Sequence, residues 1–191
     1  MRHALSGHSP WVLWLTGLSG AGKSTLAEAL EIRLLTRGIR VIHLDGDHLR
    51  DGLCADLGFS PEDRRENLRR AGTLAQWLVE AGCGVIASFV SPYRGDRDSL
   101  RGLFPPGAFA EVHVKCPLAV CEQRDPKGLY ARARSGALRD FTGISAPYED
   151  PVSPELVLDT SKLTQEACLA ELEAMADALG RRGAPRDGRL G

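Results

Sequence analysis

Apolar residues fall along the chain in two registers. Five short runs are mainly apolar without strict alternation: Trp11-Val12-Leu13-Trp14-Leu15-Thr16, Val41-Ile42-His43-Leu44, Val85-Ile86-Ala87-Ser88-Phe89-Val90, Glu111-Val112-His113-Val114 and Leu156-Val157-Leu158. Runs of this length and character suit strands of a parallel sheet, buried on both faces. Between them the apolar residues recur at helical spacing. Leu26, Ala29, Leu30 and Leu34 stripe a helix over 24–37 that Gly38 ends. Ser60-Pro61-Glu62-Asp63 opens another, with Ser60 as cap and Pro61 at its first position. Its stripe is Leu68, Ala71, Leu74, Ala75, Leu78 and Val79, and Gly82 stops it. A short helix closed by Pro105-Pro106, one opened by Pro117, and a last one striped by Leu169, Leu172, Met175, Ala176 and Leu179 complete the set. Strands alternating with helices predict a three-layer α/β domain around a parallel five-stranded sheet.

Three segments stand outside this pattern. Residues 1–10 form an N-terminal extension with no apolar core of a signal peptide. Residues 124–146 are polar, basic and Gly-bearing with no clear period, which predicts a mobile segment. Residues 181–191 are Arg/Gly-rich and predict a disordered tail. The domain proper is thus expected over 11–180, one unit for a chain of 191 residues. Twenty-four Lys+Arg against 25 Asp+Glu leave a net charge of −1, so no global field draws the chain to nucleic acid or a membrane surface. No apolar run approaches the ~20 residues that span a bilayer. The five Cys are odd in number and include no C-x-x-C pair, which predicts reduced thiols in the cytoplasm and no zinc site.

The chemistry begins at the first strand. Gly17-Leu18-Ser19-Gly20-Ala21-Gly22-Lys23-Ser24 fits G-x-x-x-x-G-K-S and lies between a buried strand and a helix, the context this motif requires. Its glycines let the backbone wrap a polyphosphate, and the helix N-terminus adds its positive end. Lys23 then reaches the β- and γ-phosphates of ATP, and the Ser24 hydroxyl ligates Mg²⁺. The motif predicts a P-loop nucleotide-binding fold.

Asp45-Gly46-Asp47 closes the second strand, on the side where parallel sheets bind ligands. Two carboxylates there can divide the work, one holding hydrated Mg²⁺ and one taking a proton from an acceptor hydroxyl. A plain turn whose Asp residues cap the next helix is the competing reading. No strand ends in the D-x-x-G and N-K-x-D signatures of a GTP switch protein, which favours a kinase. Arg124, Lys127, Arg132, Arg134 and Arg139 make the irregular segment a basic lid over the phosphates, or else a solvated basic loop. Arg50, Arg64 and Asn67 follow Asp47, and Phe59 and Phe141 lie on arginine-rich stretches. Aromatic faces stack planar rings and guanidinium forks hold phosphate or sulfate, so these residues point to a small planar anionic acceptor. Phe side chains covering core edges would look the same.

Taken together these strings resemble the adenylyl-sulfate kinases, P-loop enzymes that phosphorylate the 3′-hydroxyl of adenosine 5′-phosphosulfate. The resemblance rests on Gly17 through Thr25, Leu44-Asp45-Gly46-Asp47, Asp56-Leu57-Gly58-Phe59-Ser60, Asp63-Arg64, Glu66-Asn67 and Ser91-Pro92-Tyr93-Arg94. It continues through Arg124-Asp125-Pro126-Lys127-Gly128-Leu129-Tyr130 and Phe141-Thr142-Gly143-Ile144, and covers about 11–179. It implies an acceptor adenine between Phe59 and Phe141, with Arg50, Arg64 and Asn67 on the phosphosulfate and Arg124, Lys127 and Leu129 from the lid. It implies Asp47 as base, Asp45 beside the metal or the hydroxyl, and a homodimer. Ser91 matches a serine assigned in the family to a phosphorylated intermediate. In-line transfer needs no covalent step, and orienting the substrate is the physical alternative. His48 stands where the family often has Asn.

The reading is an ATP-dependent, Mg²⁺-assisted kinase of adenylyl sulfate. A P-loop kinase of another small hydroxylated metabolite would not need Phe59 and Phe141. A nucleotide-binding regulatory module would need no acceptor residues at all.

Overall fold

The computed structural model describes residues 8–181. Five parallel strands form one sheet: β1 (Val12–Thr16), β2 (Val41–Asp45), β3 (Gly84–Ser88), β4 (Phe109–Lys115) and β5 (Leu156–Asp159). Their spatial order is β2-β3-β1-β4-β5, with β1 at the centre. Every residue of β1 is buried, as its unbroken apolar run predicts.

Among the described residues six helices connect the strands, α1 (Lys23–Thr36), α2 (Gly46–Arg50), α3 (Pro61–Glu80), α4 (Arg94–Arg101), α5 (Leu118–Arg124) and α6 (Leu129–Arg134), and α7 (Gln165–Arg181) follows β5. Strand alternation splits the core in two. Leu13, Leu15, Val41 and Ile86 pack with Leu26, Leu30 and Leu34 of α1 and with Leu169 and Leu172 of α7. Val12, Trp14, Val85 and Ala87 face the other way and pack with Leu68, Ala71 and Ala75 of α3 and Leu100 of α4. The three-layer expectation therefore holds. α3 starts as predicted: the Ser60 hydroxyl accepts from the Asp63 amide at 3.1 Å, and Pro61 is the first helical residue.

Two short helices escape the apolar pattern. α2 begins at Gly46, directly after Asp45, where a helix capped by Asp was only the competing reading, and α6 interrupts the segment 124–146. A five- or six-residue helix is under two turns and leaves no readable period. α7 also runs through Gly180 to Arg181, past the expected boundary at 180. There the Ser9 amide donates to the Gly180 carbonyl at 3.0 Å, so part of the expected extension packs on the domain. The remainder of the extension and of the expected tail lies outside the described residues.

Candidate active site

The carboxyl ends of the strands open into one cleft of about 1070 Å³. At its centre, β1 runs into the P-loop. Gly17 approaches the neighbouring strand so closely that a Cβ there would lie 2.3 Å from the Val114 carbonyl oxygen. Gly22 has φ +100°, and as the N-cap of α1 it offers no side chain to the first-turn amides. Those amides therefore stay open toward the cleft, as an anion site needs. The rest of the loop is tied down from outside. Tyr130 donates its hydroxyl to the Ser19 carbonyl at 2.9 Å, Thr160 donates to the Ala21 carbonyl at 2.8 Å, and Leu18 packs on Gly143.

Lys23 is 8% exposed and donates to the carbonyls of Gly17 at 2.9 Å and Leu18 at 2.8 Å. Burial pulls its pKa down to about 8, against the pull of nearby Asp47 and Asp45. Ser24 donates to Asp45 Oδ2 at 2.6 Å, which turns the lone pairs of its own hydroxyl oxygen away from the carboxylate. Thr25 follows on the same turn of α1, exposed at the cleft.

Asp45 is both strand end and helix cap. Its Oδ1 accepts from the amides of Asp47 at 2.9 Å and His48 at 3.3 Å, and its Oδ2 accepts from Ser24 and from Ser88 at 2.8 Å. Burial alone would raise its pKa, but the four donors outweigh it and hold the carboxyl below its ordinary value. Asp45 thus combines the capping role foreseen as an alternative with a place beside Ser24. Asp47 sits in the first turn of α2, exposed in the cleft, and its Oδ2 takes a direct contact from Lys127 Nζ. That contact raises the Lys127 pKa and brings the segment 124–146 across the cleft mouth.

The far end of the cleft is built from side chains. Arg50 lies over the Phe59 ring, its guanidinium carbon 4.4 Å from the centroid, and Arg64 lies 5.6 Å from the same centroid. Both guanidiniums donate to backbone carbonyls, Arg50 to Leu57 and Gly58, and Arg64 to Phe59 and Asp140. Burial lowers both pKa values, and Arg50 adds to the effect on Arg64. Phe59 is 48% exposed, whereas Phe141 is only 9% exposed and meets Tyr130 edge-to-face at 5.0 Å. Phe141 therefore does cover a core edge, as composition allowed, and also lines the cleft. Asn67 is 4% exposed, and its Nδ2 has no hydrogen-bond partner, an orphaned buried donor on the cleft wall.

Two expected residues have other commitments. Ser91 is 3% exposed, at φ +38°; it donates to Thr16 Oγ1 at 2.9 Å and accepts from Trp14 Nε1 at 3.2 Å. It is knitted into the floor rather than presented as a free nucleophile. Arg124 lies beside the P-loop, donating to the Thr160 carbonyl at 2.8 Å and to Gly20 at 3.3 Å. Leu129, at the start of α6, lines the cleft, with Lys127 and Pro126 before it. Sequence reasoning missed Thr160, Leu163 and Gln165, which line the cleft beyond β5, although the strand-end rule applied to β5 would have found them. It also missed Ser88, which only the β2–β3 register places opposite Asp45.

Hydroxyl and carboxylate oxygens at Ser24 and Asp45 are hard donors suited to Mg²⁺, which is commonly held by one or two protein oxygens plus substrate phosphates. The open lone pairs on Ser24 fit that role.

Residues 9–159 match the sequence model of the adenylylsulphate kinase family. An adenylyl-sulfate kinase of Shewanella amazonensis is 58% identical over 171 residues, which cover 90% of this chain and 86% of the relative. Among solved structures, the Mycobacterium tuberculosis APS kinase in complex with AMPPNP and APS superposes with a TM-score of 0.85 at 43% identity, covering 89% of this chain and 99% of that one. A hexameric APS kinase from Thiobacillus denitrificans gives 0.66 at 31% identity, covering 92% of this chain and 29% of the other.

Proposed function

The chain belongs to the adenylylsulphate kinase family, and we propose that it transfers the γ-phosphoryl group of ATP to the 3′-hydroxyl of adenosine 5′-phosphosulfate (APS). The carrying observation is that a P-loop shares one cleft with an anion-binding end, where Arg50 and Arg64 flank Phe59 and the buried Asn67 amide lacks a partner. A kinase of a neutral metabolite has no use for that end.

The P-loop amides and the α1 N-terminus hold the triphosphate. Lys23 exchanges the Gly17 and Leu18 carbonyls for phosphate oxygens, gaining charged partners in place of neutral ones. Ser24, with Asp45 behind its hydroxyl, would hold Mg²⁺, which would supply positive charge against the triphosphate. At the other end Phe59 and Phe141 bracket the APS adenine, while Arg50, Arg64 and Asn67 hold the phosphosulfate. Asp47 accepts the 3′-hydroxyl proton as the new O–P bond forms and the bond from γ-phosphorus to the β–γ bridging oxygen breaks, leaving ADP. Lys127, released from Asp47, offsets charge on the transferring group. Arg124 and Leu129 close the nucleotide side. Ser91 fixes the floor beneath Pro92, and no phosphoserine is needed.

The same reading includes a homodimer, supported by apolar side chains left open on α3 and beside α4, Trp77 and Leu103. It places the protein in the cytoplasm, a compartment suited to its five free cysteines. No helix among the described residues is long and apolar enough to cross a membrane.

A nucleotide-release assay with ATP, Mg²⁺ and a panel of acceptors tests the proposal. APS should be turned over far faster than sugars, nucleosides or AMP. Comparable turnover of a neutral hydroxyl acceptor would overturn it.

A further inference from the structure

His43 and Ser88 lie outside the P-loop and outside the acceptor end, yet they connect directly to Asp45. β2 is an edge strand, and its register with β3 sets His43 beside Ile86 and Asp45 beside Ser88. Residues 43 and 45 differ by two and so share the sheet face turned toward α1. His43 Nε2 lies 2.8 Å from Ser88 Oγ, and Ser88 Oγ lies 2.8 Å from Asp45 Oδ2. The direction of these bonds follows from proton counting. An ionised carboxylate can only accept, and a serine hydroxyl has one hydrogen. Ser88 therefore donates to Asp45, and His43 Nε2–H donates to Ser88.

The consequence falls on Ser24. Both Ser88 and Ser24 donate to the same oxygen, Oδ2, while Oδ1 is taken by the two α2 amides. This fixes the carboxylate plane and holds the Ser24 hydroxyl hydrogen on Asp45. Without Ser88 the carboxylate loses one of the two hydroxyls that set Oδ2. Without His43, Ser88 loses the donor that keeps its own hydrogen directed at Asp45. His43 also keeps its position through its strand, since its backbone amide donates to Glu31 Oε1 of α1 at 2.8 Å.

We infer that His43 and Ser88 form a positioning relay, His43→Ser88→Asp45, that orients the Ser24–Asp45 pair for Mg²⁺. The inference rests on the reading of Ser24 and Asp45 as the metal side of the site. Partners behind a metal ligand typically carry a 10- to 100-fold effect on metal affinity or activity when removed.

The test is calorimetric titration of a non-hydrolysable ATP analogue, once with saturating Mg²⁺ and once with EDTA. His43→Leu and Ser88→Ala should each weaken the Mg²⁺-loaded affinity by about 10-fold and leave the EDTA affinity unchanged. His43→Gln, whose amide can still donate to Ser88, should recover most of the loss. The double variant should be no worse than Ser88→Ala alone, because both changes break one chain. Equal losses with and without Mg²⁺ would mean a merely structural role and overturn the relay. So would wild-type affinity in both single variants. Asp45→Asn separates the two levels of the argument. If it abolishes the Mg²⁺ advantage while His43→Leu and Ser88→Ala do not, the relay alone fails. If it retains the full Mg²⁺ advantage, the metal assignment fails and takes the relay with it.

Discussion

At the P-loop end of the cleft, geometry is set by backbone: the path of Gly17 against β4, the open first turn of α1, and carbonyls gripped by Tyr130 and Thr160. At the acceptor end, geometry is set by side chains: two guanidiniums over one ring, a second ring packed on Tyr130, and a buried amide without a partner. The difference separates two kinds of specificity. Backbone amides read phosphate in any nucleotide, so that end says little about the reaction. Side chains read one acceptor, and single substitutions there should change which molecule is bound without disturbing nucleotide. Asp47 sits where the two ends meet.

Asp47→Asn should therefore do the largest damage to turnover, ~10²- to 10⁴-fold, since Asn keeps the shape but takes no proton. Binding of a non-hydrolysable ATP analogue should stay near wild type. Single-turnover rates paired with a nucleotide titration check this, and an equal loss in both would move Asp47 to the metal side. Lys23→Ala should cost ~10²-fold or more in turnover, about 2.7 kcal/mol of transition-state stabilisation, with no loss in melting temperature. Its ammonium is buried on neutral carbonyls, so removing it relieves desolvation rather than breaking an ion pair.

Phe141→Ala tests whether the two ends are as separate as they look. Loss of stacking should weaken APS binding ~5- to 150-fold. Because the ring is buried on Tyr130, the same change should destabilise the fold by ~3 kcal/mol. A variant that melts early but binds APS normally would assign Phe141 to the core alone.

Much of this division was legible in the sequence, and unevenly. The P-loop was legible because its residues are contiguous and its context, a buried strand before and a helix after, is written in the same stretch. The sheet and its two-faced core followed from the unbroken runs. The acceptor end is scattered from Arg50 to Phe141, and the residues alone gave only arginines and aromatics on polar stretches; the family resemblance grouped them. α2 and α6 were invisible because a helix of under two turns has no period. His43 and Ser88 could not be paired without the strand register that sets residues 43 and 88 on one face.

A smaller effect concerns pH at the backbone end. Burial lowers the Lys23 pKa to about 8, so the free protein holds the ammonium below that value and loses it above. Nucleotide phosphates favour the charged form. Affinity for the ATP analogue should be level below pH 8 and weaken above it, by up to about tenfold per pH unit. The slope should vanish in Lys23→Met. A slope that survives the substitution would belong to another group.

The most direct test of the division is a two-by-two titration. APS, with ADP present, and a non-hydrolysable ATP analogue are each titrated into the wild-type protein and into Arg64→Ala. The guanidinium's hydrogen bonds in the protein go to carbonyls, so its removal leaves no buried carboxylate behind. A charged hydrogen bond to the phosphosulfate is worth ~1.5–3 kcal/mol, so APS affinity should fall about 10- to 150-fold while the ATP analogue binds as before. Equal losses for both ligands, or no loss for APS, would contradict the claim that side chains at this end select the acceptor.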